Sequence, residues 1–493
     1  MNLGRLITTG IGLFVASSAR ATIYTVDCTG AGDFTTIQAA INAAVSGDVI
    51  VVRPNTCTAQ GRYRERPFIS GKSLTIKSVD PTDPAIVAAT IIDGSTMDGI
   101  VRVIGSPPTA DPVRLQGLTI VNGFEGMHLE NSSVELDRVT ISNCTGFGVS
   151  AYVYGGDTNT LLISRCSIHH TRGVSITNYD LKVRSSVFSD ATVRAFSAVG
   201  GRIDIQDSAF LRSGWIAGTA WGGGLDVGNS PSMRIVNCLF AFNLAYRGAG
   251  LSVRSYPGAP DNHIIRNCLF YGNLANGYGG GVRLMGDGIT VDHCTFVGNR
   301  SRILGPGIYC DGGSFRFVNS VSWNNRSDLG PGTPDLGGID SLIATHCDFQ
   351  NGLAPANGNF SADPGFLDPG VWDDHGTPDD FSDDTFTPGD FRLSPGSPCI
   401  NAGDPAYIGT LGEIDLAGRP RTIGCRTDLG AYEANHVGPH SGDLSGDGAV
   451  TQDDLPFFIQ AALNMDTLDC RADCNGDGLV NGQDITAFLA LIH

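Results

Sequence analysis

Two stretches near the C-terminus carry the clearest chemistry: DLSGDGAVTQDD at 443–454 and DCNGDGLVNGQD at 473–484. In the first, Asp443, Ser445 and Asp447 hold positions 1, 3 and 5, and Gly448 holds position 6. Ala449, Thr451 and Asp454 follow at 7, 9 and 12. In the second, Asp473, Asn475, Asp477, Gly478, Leu479, Asn481 and Asp484 repeat the scheme. A Ca²⁺ ion takes about six to eight hard oxygens around a sharp turn, with a backbone carbonyl at position 7. Both stretches meet that demand, so Ca²⁺ is the expected cofactor. Each is followed by an apolar stripe at helical spacing: Leu455, Phe458, Ile459 and Ala462, then Ile485, Phe488, Leu489 and Ile492. No entering helix is expected before either loop.

A second candidate set is scattered along the chain, and only a repeat can bring it together. Aligned on Cys238, the chain shows RIVNCLFAFN, IIRNCLFYGN, TVDHCTFVGN and weaker copies, with the aligned residue at 144, 166, 186, 208, 238, 268, 294, 320 and 347. Each unit offers three short strands: one after a run of glycines (GGGLDV, GAGLSV, GGGVRL), one ending at Asn or His, and one beginning at Cys. Alternation sends Ile235, Cys238 and Phe240 inward and Leu239 outward. Asn237 stands at a bend, where a left-handed backbone is tolerable for Asn. His293 and His346 share that position and read as turn residues. Stacked units of this kind predict a mainly β chain, a right-handed parallel β-helix solenoid. The inward cysteines are either small stacked core residues or cross-links between rungs.

On the glycine-led strand the first outward position reads His128, Ser150, Ser175, Arg194, Asp226, Ser252, Arg283 and Tyr309. A second outward file reads Glu130, Tyr152, Thr177, Arg254 and Asp311. Arg283, Asp226 and Asp311 are the candidate catalytic residues, and Tyr152, Arg254 and Tyr309 the candidate substrate contacts. Glycoside hydrolysis needs two carboxylates about 5 to 9.5 Å apart. Asp226 and Asp311 lie three rungs, about 14 Å, apart, so no such pair is expected. Arg283 beside an acid is the better candidate, as the base of a lyase.

Several classes are excluded or narrowed by composition. The net charge of −18 argues against nucleic acid. Residues 363–390 hold nine Asp and no Lys or Arg, a candidate cation loop or a solvated one. MNLGRLITTGIGLFVASSARA reads as a secretory signal peptide: Arg5, an apolar run, then Ala19-Arg20-Ala21. No later run is long enough to span a bilayer. Thirteen cysteines in an exported chain permit disulfides; Cys28–Cys57, Cys399–Cys425 and Cys470–Cys474 are candidate local pairs. Ile37, Ala40, Ile41 and Ala44 recur at helical spacing, capped by Thr35 or Thr36 and ended by Gly47, a lid for the first rung.

GAGDFTTIQAAINAAVSGDVIVVRP resembles the start of secreted proteins of the pectin-lyase-like β-helix superfamily. The FAFN, FYGN, FVGN and GAGL, GGGV patterns resemble repeats of chlamydial polymorphic outer-membrane proteins. ADPGFLDP through DFRLSPGSPCINAGD to GRPRTIGCRTDLGAYE resembles the closing segment of bacterial surface β-helix proteins. These resemblances cover residues 22 to about 434. They imply architecture more than chemistry, because that superfamily holds lyases, hydrolases, epimerases and inert adhesins. The two loops, with Asp rather than the usual EF-hand Glu at position 12, resemble a type I dockerin domain, a small all-α double calcium-loop module. That resemblance implies docking onto a cohesin-like partner. Positions 10 and 11 depart from the family's usual Ser-Thr: they are Gln452-Asp453 and Gly482-Gln483.

The expected organisation is therefore a signal peptide (1–21), a β-helix with an N-terminal capping helix (22–347), and a closing segment with Asp-rich loops (348–434). A linker (435–441) and a dockerin-like domain (442–493) complete it. The expected protein is a secreted or surface monomer that binds or acts on polysaccharide. If an enzyme, it is a lyase or a glycoside hydrolase. The alternative is a non-catalytic adhesin or matrix protein.

Overall fold

The computed structural model describes residues 20–492 apart from short internal stretches, the longest being 215–220, 256–262, 435–441 and 464–469. Most of the expected signal peptide and the whole expected linker thus lie outside the described residues. Three long parallel sheets, of 13, 12 and 11 strands, run the length of a solenoid. Each turn contributes one strand to each sheet, as the three-strand unit predicts. The first sheet runs from Ile23–Val26 to Ser341–Thr345, the second from Arg62–Tyr63 to Asp348–Phe349, and the third from Phe68–Ser70 to Leu336–Gly337. The last solenoid strand therefore reaches two residues past the expected boundary at 347.

Like residues lie over like. Ile205, Ile235, Ile265 and Val291 are register partners on successive rungs, and all are buried. Phe188, Phe210, Phe240, Phe270 and Phe296 form a second inward file. Their rings stack with centroids 4.6 to 5.2 Å apart. This explains the Phe of FAFN, FYGN and FVGN. The Asn explains itself next: each side-chain amide of Asn243, Asn273 and Asn299 donates to the following Asn, at 2.8 to 3.0 Å, ending at Asn325. Each of Asn243, Asn273, Asn299 and Asn325 also donates to a carbonyl one rung back, so none of these four amide nitrogens is left over.

The bend residue has positive φ throughout: Asn237 (53°), Asn267 (51°), His293 (49°), Asn319 (52°) and His346 (51°). Arg165 and Ser185 adopt it too, so the fold imposes the bend even where the residue disfavours it. The inward cysteines are free thiols, not cross-links. Each sits one residue after the bend and turns its sulfur to the carbonyl two residues back, as Cys238 does to Val236 at 3.2 Å and Cys268 to Arg266 at 3.1 Å. Ser186, Ser208 and Ser320 do the same with their hydroxyls. A short donor is what the position requires. Among the described residues one disulfide forms, Cys28–Cys57, with Cα atoms 5.9 Å apart. Cys399 and Cys474 are free thiols, and their candidate partners, Cys425 and the side chain of Cys470, lie outside the described residues.

Helix α1 (Ile37–Ala43) forms where the apolar spacing predicts it. Thr36 is the N-cap, and Ile37, Ala40 and Ile41 are buried in the main core.

Beyond Phe360, which still bridges Asp348 in parallel, residues 361–434 do not continue the solenoid. They fold back along its outside. Phe366, Phe386, Phe391, Leu393 and Leu429 pack on Leu269, Val297 and Val321, outward residues of the second sheet. The motif GRPRTIGCRTDLGAYE is the clasp. Arg421 and Glu433, both about 1% exposed, form a buried ion pair. Arg421 also reaches Asn267 at 3.2 Å. Asp428 accepts from the backbone N–H groups of Asn401 and Ala434, both at 2.7 Å. In the Asp-rich run, Asp363, Asp368, Asp373 and Asp374 each close a tight turn by accepting the N–H two residues on.

Candidate functional site

The third sheet puts its outward side chains in register: Arg102, His128, Ser150, Ser175, Ser197, Asp226, Ser252, Arg283 and Tyr309. Ser197, not Arg194, occupies the expected fourth place from His128. Arg194 stands before the strand and reaches over instead. The second file carries Glu130, Tyr152, Thr177, Val199, Gly228, Arg254 and Met285.

The decisive feature is an overhang. Trp221, Arg247 and Tyr278 each precede a glycine, and they are register partners in a short ladder beside the third sheet. Gly222 and Gly248 have φ of 64° and 60°. A Cβ at either would lie 2.3 or 2.6 Å from the carbonyl of Leu225 or Leu251. Only glycine lets the chain turn back this tightly. The turn lays the preceding side chain over the outward file. The residue before the glycine in WGGGLDV, RGAGLSV and YGGGVRL was the available signal, and pattern reading passed it over.

Under this overhang four arginines meet two aspartates. Asp226 is buried, 2% exposed, with Arg194 Nη1 at 2.6 Å and Arg254 Nη2 at 3.0 Å from its Oδ2. Burial raises its pKa, and the charges of Arg254 and Arg194 oppose that. The guanidinium groups of Arg254 and Arg283 each lie 4.8 Å from the Trp221 ring. Arg283, also 2% exposed, donates from Nε to Asp311 at 3.0 Å. Arg247 approaches Asp311 at 3.8 Å and lies 5.2 Å from the Tyr278 ring. Tyr278 packs on Tyr309 at 4.6 Å. Asp226 Oδ1 and Arg283 Nη1 are buried without a hydrogen-bond partner among the described residues.

Three of the six strip residues singled out from sequence, Asp226, Arg254 and Arg283, thus share one cluster through Trp221. Asp311 and Tyr309 join it through Arg283 and Tyr278. Tyr152 lies elsewhere on the face. There it bonds His128 Nε2 at 2.7 Å, while His128 Nδ1 lies 3.1 Å from Glu125 Oε2. Both aspartates of the cluster are taken up by arginines, which leaves no free acid pair. The planar guanidinium of Arg283 is bonded to a carboxylate, a geometry suited to holding an anion.

In the C-terminal segment, Asp447, Ala449, Asp477 and Leu479 fall in the stretches 446–449 and 476–479, outside the described residues. The remaining proposed ligands obey a two-fold scheme. Asp454 accepts from the N–H groups of Ser445 (2.7 Å) and Thr451 (2.8 Å). Asp484 accepts from those of Asn475 (3.1 Å) and Asn481 (2.8 Å). Burial pushes the Asp454 carboxyl up, and the N–H groups more than reverse that, leaving it below its ordinary value. Asp443, Asp454, Asp473 and Asp484 are all buried. Residues 442–493 contain nine Asp and one cation, Arg471. Buried carboxylates in such excess fit a divalent cation in each loop. α2 (Leu455–Leu463) and α3 (Asp484–Leu491) meet through Phe458 and Phe488, stacked at 4.1 Å. Ala462 and Ile492 pack against this core, but Leu455, Ile459, Ile485 and Leu489 are 38 to 58% exposed. A domain this small has too little interior to cover them.

No helix among the described residues is long and apolar enough to cross a membrane. No curated protein matches the chain. Among solved structures the chain is similar to the pectate lyase Pel9A, at 17% identity over 85% of this chain and 97% of that one, TM-score 0.41. It is also similar to the tailspike gp49 of Acinetobacter baumannii bacteriophage Fri1, a capsular polysaccharide depolymerase, at 13% identity over 68% and 58%, TM-score 0.33. A third is the catalytic unit of the GH87 α-1,3-glucanase of Streptomyces thermodiastaticus strain HF3-3, at 13% identity over 66% and 69%, TM-score 0.34. Residues 75–240 match the family described as the right handed beta helix region, which agrees with the parallel three-sheet winding found there.

Proposed function

We propose that the outward face of the third sheet binds an acidic polysaccharide, outside the cell, with the C-terminal module as a calcium-dependent tether. One observation carries the reading. Four arginines stand against two aspartates beside the rings of Trp221, Tyr278 and Tyr309, a local charge of 4 − 2 = +2 on a chain of −18. A guanidinium matches a carboxylate in both charge and geometry. Flat rings beside it offer apolar surface to the C–H faces of a sugar. Arg194, Arg247 and Arg254 keep 26 to 30% of their side chains exposed, so a ligand can reach them.

The tether reading rests on the two-fold calcium loops and on the exposed apolar residues Leu455, Ile459, Ile485 and Leu489, related by the same 30-residue offset. A cohesin-like protein is the partner that surface would take. Binding of the full chain to polygalacturonate, alginate, xylan and a neutral glucan tests the first reading. Acidic glycans should bind, and added salt should weaken them. Equal binding of the neutral glucan would contradict it.

A further inference from the structure

We propose that Glu125, His128 and Tyr152 form a proton-transfer site on this same face, serving β-elimination within a uronate-containing chain; the inference rests on the acidic-glycan reading above. His128 stands four rungs before Asp226 in one outward file, about 19 Å along the solenoid. A neutral imidazole has one proton for two nitrogens. Glu125 Oε2, 3.1 Å from Nδ1, holds that proton there. Nε2 is then free to accept from the Tyr152 hydroxyl at 2.7 Å. A carboxylate on one nitrogen also supports the imidazolium that forms when the other takes a proton. Ser150 Oγ lies 3.3 Å from Nδ1, the nitrogen Glu125 already occupies. A serine nucleophile would need the other nitrogen, so the arrangement selects the tyrosine.

Tyr152 is the group that meets substrate. Its ring packs 5.0 Å from Tyr154, which is 60% exposed and offers a sugar-sized platform. Arg102, the register partner of His128 on the preceding rung, supplies a cation for the uronate carboxylate and so acidifies the adjacent C–H. Burial, together with Tyr154, Glu130 and Glu125, holds the Tyr152 phenol above its ordinary pKa. The phenol therefore begins protonated and needs His128.

The step balances without a co-reactant. Tyr152 passes its proton to His128 Nε2. The phenolate takes H5 of the uronate, the C5–H electrons form C4=C5, and the C4–O4 bond breaks. The phenol gives that proton to the departing O4, and His128 returns its own to Tyr152. The products are a free hydroxyl and a C4=C5 unsaturated uronide.

The test measures ultraviolet absorbance of unsaturated uronide from mannuronate-rich alginate and a glucuronate polymer, in which H5 and O4 lie on one face within reach of a single tyrosine, alongside binding of the same polymers, using the full chain. The native chain should form the product. Tyr152→Phe should cut kcat by about 10²- to 10⁴-fold with KM and binding unchanged. His128→Gln, which keeps a polar partner for the tyrosine but takes no proton, should do likewise. Glu125→Gln, a positioning change, should lower kcat by about 10-fold, again without moving KM. Binding without unsaturated product would overturn the inference and leave the acidic-glycan reading standing. So would full kcat in Tyr152→Phe. Failure of the native chain to bind any acidic polymer would overturn both.

Discussion

At the residue scale, the structure is explained by what each buried polar group finds as a partner. Asp335 is the sharpest case. It lies near the end of the asparagine ladder, accepting from Asn325 at 2.9 Å and Ser322 at 3.1 Å. Burial pushes its pKa up to about 8; those two hydrogen bonds oppose the shift and Asp348 adds to it. A carboxyl whose folded pKa is raised stabilises fully below its unfolded value, near 4. It loses that stability as pH rises to about 8, by up to about 1.4 kcal/mol per pH unit. Asp348 and Asp428, pushed up to about 7 and about 6 by burial, act in the same sense. Thermal unfolding followed from pH 5 to pH 8 should show falling stability. Asp335→Asn should flatten that fall and raise the melting temperature at pH 8; an unchanged slope would mean the group is ionised already. Much at this scale was legible beforehand. Alternation placed Ile235, Cys238 and Phe240 inward, and the bend at Asn237, His293 and His346 followed from its position before the cysteine. The overhang of Trp221, Arg247 and Tyr278 was not legible, because a residue's reach over a neighbouring strand depends on a turn that no period records.

At the element scale, repetition did the specifying. Strand and bend recur, so each unit predicts the next, and the three-sheet winding is legible from spacing alone. The closing segment could not. Its strands are short and antiparallel, and its clasp pairs Arg421 with Glu433 and Asn267, contacts between residues far apart in sequence. The proposed calcium loops lie between these cases: the spacing of their acidic residues is local and legible, while the exposure of Leu455, Ile459, Ile485 and Leu489 is set by how little chain is there to cover them. Titration calorimetry with Ca²⁺ should give two ions per chain. Asp454→Ala and Asp484→Ala should each remove one, and chelation should loosen the Phe458–Phe488 stack and lower the melting temperature of the tail. A chain that releases no heat with Ca²⁺ would leave the buried aspartates unexplained.

At the scale of the whole molecule, a solenoid of nearly balanced charge, with 26 acidic and 25 basic residues over 22–347, carries an arginine-rich strip built where glycine turns fold side chains over a parallel sheet. Charge this local is meaningful because ions are screened beyond about 10 Å at ordinary salt. A polyanion feels the strip before the distant carboxylates. The central proposal is that the face carrying this strip takes an acidic glycan and that the strip's arginines hold it there. The most direct measurement compares the affinity of polygalacturonate for the native chain, for Arg254→Ala and Arg247→Ala in the strip, and for Arg212→Ala outside it. Arg212 is an exposed residue paired with Asp190 at 2.8 Å. Loss of one charged hydrogen bond should weaken binding by about tenfold in each strip variant, with Arg212→Ala at native affinity. Equal affinity in all four proteins would contradict the claim.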